Sequence, residues 1–242
     1  MKKINLFVLG LSSLLLLGSC NKADEPSNNT SNNSHNSTES TSKELVLDEQ
    51  ATPGVLYKEF ILDGTYMVDY NASTFKGKEL YISSTCNGVP VSLIGGVAFK
   101  GVESLEKVTI PGSVIEIIGN SFQNCKNLKT VNILGSGLQS LGNHTFANCA
   151  SLEKVTLPSS LKTIELGCFE GCKSLREIVI PKSVESIPSQ IFDMCENLNV
   201  FCEAESKPTV WSNLYEPSIS GEINVYYANE WEYDSNGNPK LK

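Results

Sequence analysis

The chain has 242 residues, 40% of them hydrophobic, with 8 cysteines and a formal net charge of -8. That length and apolar content suit one substantial globular domain with appendages and exclude global disorder. The acidic balance excludes nucleic-acid binding and attraction to anionic lipid through basic patches, both of which need clustered Lys and Arg.

In chain order, the first segment is MKKINLFVLGLSSLLLLGSC, two lysines followed by an apolar run from Ile4 to Leu17. The run is too short for a membrane span and has the layout of a signal peptide over residues 1–19. Its end, Leu17 to Cys20, resembles the lipobox of bacterial lipoproteins, which implies a lipid anchor on Cys20 and loss of Lys2 and Lys3. The charge would then fall from -8 to about -10. A plain secretory signal and an uncleaved anchor are the other readings, and each places the body of the protein outside the cytoplasm. Residues 20–43 contain no large apolar side chain, so they cannot bury enough surface to offset ordering entropy and read as a solvated tether. Fully extended, this tether reaches roughly 75 Å. Its KADE start is loosely similar to acidic sorting signals of surface-exposed lipoproteins, which would expose the protein on the bacterial cell envelope. Its Asn-x-Ser/Thr tripeptides read as solubilising composition.

Residues 44–90 read as an N-terminal cap and first coil. In VLYKEFILDGTYMVDY, Asp63-Gly64 supplies a hairpin turn between two alternating runs. The first coil, GKELYISSTCNGVPVSLIGGVAF, carries an insertion around Asn87-Gly88.

From residue 91 to 203 the chain repeats. Phe99, Phe122, Phe146, Phe169 and Phe192 are spaced 23, 24, 23 and 23 residues apart. Eight residues before each Phe stand Val91, Val114, Leu138, Leu161 and Val184, and five before stand Ile94, Ile117, Leu141, Ile164 and Ile187. Six after comes leucine every time, at Leu105, Leu128, Leu152, Leu175 and Leu198. Val108, Val131, Val155 and Ile178 follow, then Ile110, Ile133, Leu157 and Ile180. The resulting Leu-x-x-Val-x-Ile pattern ends in the alternation of a short strand with one buried face, and Pro111, Pro158 and Pro181 stop it. One strand per unit is expected. No unit of this size buries its own apolar stripe, so the coils must stack.

At this point SLEKVTIPGSVIEIIGNSFQNC and SLREIVIPKSVESIPSQIFDMC resemble the BspA-type leucine-rich repeats of bacterial surface proteins, over about residues 55 to 215. The resemblance implies an α/β-type repeat solenoid, mostly β and loop: a right-handed leucine-rich-repeat solenoid with short parallel strands and capping hairpins. It also implies adhesive or host-interaction roles. The unit after Leu198 departs from the pattern, with Phe201 and Glu203 where Val and Ile are expected, so the regular stack is expected to end there. Residues 204–242 read as a C-terminal cap in which Trp211, Trp231 and Tyr226 cover an end and Asn236-Gly237 offers a second turn.

Cys125, Cys149, Cys172 and Cys195 share one column, occupied in the first coil by Val102. A position that accepts Val or Cys reads most simply as a small buried apolar site. Rung-to-rung disulfides are a second reading, which export permits and torsion opposes. Zinc at Cys168 with Cys172 is a third, with no second ligand pair in view. Catalysis by these thiols would need a nearby base, and the chain has 2 histidines, His35 in the tether and His144 at a turn before Phe146. DSNGN at Asp234 reads as a turn, lacking the later Glu of a calcium loop. No phosphate loop, nucleophile elbow or paired-carboxylate arrangement is evident, so neither enzyme activity nor a cofactor is expected.

The residues between the buried strand positions form an exterior. Lys107, Thr130, Lys154, Glu177 and Val200 make one column, with Thr109, Asn132, Thr156, Val179 and Cys202 beside them. This mixture suits a protein or glycan partner, with no deep apolar pocket implied. The expected function is a non-enzymatic, lipid-anchored surface protein that binds a macromolecule. A glycan-binding or envelope-complex component is the alternative.

Overall fold

The structure, a computed structural model, describes residues 47–60, 62–215, 217 and 219–242. The expected signal peptide, the lipidated Cys20, the tether and His35 lie outside the described residues. Tyr57–Phe60 and Thr65–Val68 form the antiparallel hairpin, closed by Gly64 at φ 73°. Asp63 Oδ1 accepts hydrogen bonds from the Thr65 N–H at 2.9 Å and the Thr65 hydroxyl at 2.6 Å, which fixes the turn. The insertion at Asn87-Gly88 is a second hairpin, pairing Thr85–Cys86 with Val89–Ile94.

The chain then winds into coils with no helix among the described residues. The Leu-x-x-Val-x-Ile segments pair in parallel along the front of the stack. Glu79–Tyr81, Lys107–Ile110, Thr130–Ile133 and Lys154–Val155 form one ladder, and Glu177–Ile180, Leu198–Cys202 and Ile223–Tyr226 form another. Lys154–Val155 and Glu177–Ile180 lie side by side between the two ladders without pairing. The register is that of the sequence columns, with Lys107 opposite Thr130 and Thr130 opposite Lys154.

Each coil carries two strands where one is expected. Thr65–Val68, Val89–Ile94, Glu116–Ile117, Ser140–Leu141 and Thr163–Ile164 make a second parallel ladder, prolonged by bridges from Thr163 to Ser186 and from Ile187 to Trp211. Most of these strands are two residues long, one side chain in and one out, too short to show alternation in sequence.

The third side of each coil turns at the Phe motif. Two columns there have left-handed backbone: Val97, Asn120, His144, Gly167 and Gln190 at φ 52° to 69°, and Gly101, Asn124, Asn148, Gly171 and Met194 at φ 56° to 73°. One such residue every fourth position breaks any helical run and turns N–H groups toward the next coil. Phe99 thus donates to the Ser121 carbonyl, Phe122 to Thr145, Phe146 to Cys168 and Phe169 to Ile191, at 2.7 to 3.0 Å.

Inside, Phe99, Phe122, Phe146, Phe169 and Phe192 are buried and stack with centroids 5.4 to 5.8 Å apart and planes within 22°. Phe75 closes the column edge-on against Phe99. Burying such a side chain stabilises by about 1.5 to 3 kcal/mol, with about 0.5 to 1.5 kcal/mol more per aromatic pair. The 24-residue coil accommodates its extra residue at Leu134–Gly137, where Gly135 has φ 65° and a Cβ on Gly137 would collide with the Gly112 oxygen.

The stack does not end at Leu198. Ile178 pairs with Val200 and Ile180 with Cys202, so this coil is one residue shorter between its leucine and its strand. Val200 and Cys202 point inward at 0% exposure, and Asn199 and Phe201 take the outward columns. Leu198–Cys202 then pairs with the further strand Ile223–Tyr226. Phe201 is shielded from outside by Trp231 and Tyr226, each with ring centroids 5.4 Å away. Trp231–Tyr233 belongs to a closing hairpin with Pro239–Leu241, and the Trp231 indole donates to the Cys202 carbonyl at 3.0 Å. That hairpin therefore lies across the front face. Trp211 extends the second ladder beyond Ile187, its indole donating to Val184 O at 3.3 Å.

Candidate binding surface

The front strands set the outward columns. Lys154, Thr156 and Glu177 are exposed. Lys107, Thr130, Asn132 and Val179 are half-buried, and Lys107 Nζ lies 3.6 Å from Glu79 Oε2. Thr109 is only 7% exposed between Tyr81 and Asn132 and presents little surface. Val200 and Cys202, expected on this exterior, belong to the core because of the shortened coil. The remaining columns are aligned by pairing within each ladder.

One rim of the face carries ion pairs between coils. Glu106 bridges Lys78 at 2.8 Å and Lys129 at 3.1 Å, and Glu103 meets Lys126 at 3.2 Å. The hydrogen bond from Lys78 is the main cause holding the Glu106 carboxyl below its ordinary value. Such exposed pairs set the spacing of charge more than they stabilise. On the second ladder Glu116 is raised, first by burial and then by the nearby Glu165.

The cysteine column is buried thiol. Cys125, Cys149, Cys172 and Cys195 each donate to a phenylalanine carbonyl, of Phe99, Phe122, Phe146 and Phe169, at 3.1 to 3.3 Å. Cys168 is likewise buried as a thiol. Burial pushes Cys125, Cys195 and Cys202 up to about 12 and Cys149 and Cys172 well above the ordinary range. A neutral thiol in an apolar interior is a poor nucleophile and a poor metal ligand. Among the described residues no group of three or more His, Cys, Asp or Glu is arranged to hold a metal. His144 occupies a left-handed turn position, its Nε2 3.4 Å from Glu170 Oε2. Asp234 forms a turn, with Oδ1 accepting from the Asn236 and Asn238 N–H groups at 2.8 and 2.9 Å.

A second feature is visible only in three dimensions. Ser159, Lys182 and Glu203 stand just beyond the ends of three successive front strands, and the closing hairpin brings Trp231, Glu232 and Tyr233 against them around a cavity of about 450 Å³. Glu203 Oε1 accepts from the Tyr233 hydroxyl at 2.7 Å, and Oε2 accepts from the Lys182 N–H at 3.1 Å. Burial, then the hydrogen bond and charge of Glu203, hold the Tyr233 phenol above its ordinary range. The sequence columns do not reveal this notch, because a constant period puts Phe201 at an inward position, whereas the structure pairs it with Val179 on the outward column.

Residues 71–210 match the pattern of the BspA type leucine rich repeat region, in six copies. A leucine-rich repeat protein from Bacteroides ovatus is 27% identical, with a TM-score of 0.58 over 72% of this chain and 45% of its own. A leucine rich cell surface protein from Faecalibacterium prausnitzii is 21% identical, with a TM-score of 0.56 over 84% of this chain and 62% of its own. The pneumococcal vaccine antigen PcpA is 21% identical, with a TM-score of 0.54 over 82% of this chain and 54% of its own. The last two share the fold, and the chain spans less than two thirds of the length of all three. No curated protein matches significantly.

Proposed function

The chain belongs to the BspA-type leucine-rich repeat family, and from that premise we propose that it is a non-enzymatic, lipid-anchored protein of the bacterial cell surface that docks a macromolecular partner on its front face. The observation that carries this reading is the alignment of Lys107, Thr130 and Lys154 on one parallel ladder, with Glu177 exposed on the neighbouring strand. Side chains held one strand spacing apart, about 4.8 Å, form a rigid and shallow array, which fits a protein surface better than a small metabolite. The membrane attachment rests on Cys20 and the LGSC motif, and stable anchoring would require at least two acyl chains. Surface exposure is supported by the acidic start of the tether and by the cell-surface description of the Faecalibacterium protein.

Two measurements test it. Intact mass of the membrane-extracted protein should show acylation at Cys20, and an unmodified mass would refute the anchor. On arrays of extracellular-matrix proteins, the purified chain should bind at least one, and Lys107→Glu with Lys154→Glu should weaken that binding about 10-fold or more. Unchanged binding by the folded double variant would move the docking surface elsewhere. A glycan reading is favoured by the notch beside the face.

A further inference from the structure

We propose that the notch between the front-strand ends and the closing hairpin is a subsite for a pyranose unit of a neutral glycan. It is separate from the strand columns described above, and neither site needs the other.

The argument starts from Tyr233. The residue is 50% exposed, yet its ring is fixed edge-on to Trp231, with centroids 4.9 Å apart, and by its hydrogen bond to Glu203. An aromatic face held rigid and open to solvent offers its negative quadrupole to the polarised C–H groups on one side of a sugar ring. Beside it, each Glu203 oxygen uses one acceptor site internally, on Tyr233 or Lys182, and keeps one more. Two adjacent acceptors on one carboxylate match two neighbouring hydroxyls. The exposed Lys182, which also lines the notch, makes no ion pair among the described residues and has an ammonium donor to offer. Ser159 adds a hydroxyl.

The charges select a neutral ligand. Glu203 and Lys182 offset each other, and Glu232 is offset by Lys240 at 3.7 Å. The volume, about 450 Å³, admits one or two sugar rings. An extended peptide is disfavoured because it would pair with free main-chain groups, whereas the Glu203 N–H already donates to Ile180 O and the Lys182 N–H to Glu203.

The test is titration of the full-length chain with four neutral probes, the tetrasaccharides of maltose, cellulose, mannan and chitin type, by saturation-transfer NMR and calorimetry. Polyglutamate and polygalacturonate serve as acidic comparators. At least one neutral tetrasaccharide should bind. Tyr233→Ala should weaken it more than 10-fold, and Tyr233→Phe and Lys182→Ala about 3- to 10-fold each, by loss of one hydrogen bond. Lys182→Ala removes an exposed side chain, so it decides the matter if Tyr233→Ala fails to fold. The Lys107→Glu with Lys154→Glu variant should bind the saccharide unchanged. Absence of binding by all four neutral probes, binding only of an acidic comparator, or affinity unmoved by both Tyr233→Phe and Lys182→Ala would overturn the proposal. A failure here with retained binding to matrix proteins would leave the front-face reading standing.

Discussion

The thiol of Cys149 donates to the Phe122 carbonyl in a site where Val102 serves one coil and cysteine the others. A valine fills the volume, and a cysteine adds a weak second bond to a turn carbonyl that already accepts from the Cys125 N–H. The neutral form is the one the fold accepts, which sets a pH dependence. Cys125, Cys195 and Cys202 are raised by burial from near 9 to about 12, and Tyr57, also raised by burial, from 10 to about 12. Groups raised in this way contribute stability that is intact below their unfolded values and is lost as pH climbs through the folded ones. The melting temperature should therefore fall progressively between pH 9 and 12, and Cys125→Val should flatten part of that fall. In the same protein, iodoacetamide at pH 8 should leave Cys149 and Cys172 unmodified until denaturant is added; labelling of the folded chain would contradict their burial.

At the level of the coil, the phenylalanine column and the glycine contacts do different work. Phe146→Ala should cost about 3 to 5 kcal/mol in denaturant unfolding, since its ring touches like rings above and below. Thr156→Ala, on the exposed column, should stay within about 0.5 kcal/mol. Gly137→Ala drives a methyl into the Gly112 carbonyl and should cost about 1 to 3 kcal/mol or more, read as a lowered denaturant midpoint. The repeat columns were readable because each demands one chemical character in every coil: Phe, Leu and the aliphatics cannot be exchanged for polar groups without opening the core. The second ladder was not, because Glu116, Ser140 and Thr163 share an outward position with no common chemistry. The left-handed columns were hidden for a similar reason. Val97, Asn120, His144, Gly167 and Gln190 hold one backbone conformation with five different side chains, so the constraint comes from hydrogen bonding between coils.

Across the molecule, the closing hairpin is what the sequence conceals most. Trp231 and Tyr226 were expected to cover an end, yet Trp231 lies on the face, against Phe201, because one residue is missing between Leu198 and its strand. Columns counted by a constant period misplace Val200, Cys202 and Phe201 together, and the notch at Glu203 and Tyr233 exists only as a result of that shift. Trp231→Ala should cost about 3 to 5 kcal/mol or release the hairpin outright, seen as rapid protease cleavage between Ala228 and Lys242 while the stack up to Leu198 stays resistant. The shortened coil also constrains how such a chain can lengthen. A duplicated 23-residue block inserted among the regular units lands every phenylalanine on the existing pile, so the gene can add or drop whole turns there at little structural penalty. The same duplication spanning Leu198 would carry the phase slip into the middle of the array and leave an aromatic ring facing water without a tryptophan to shelter it. Growth by copying is thereby confined to the interior of the array, and the terminal turn with its sheltering ribbon must be inherited as one piece.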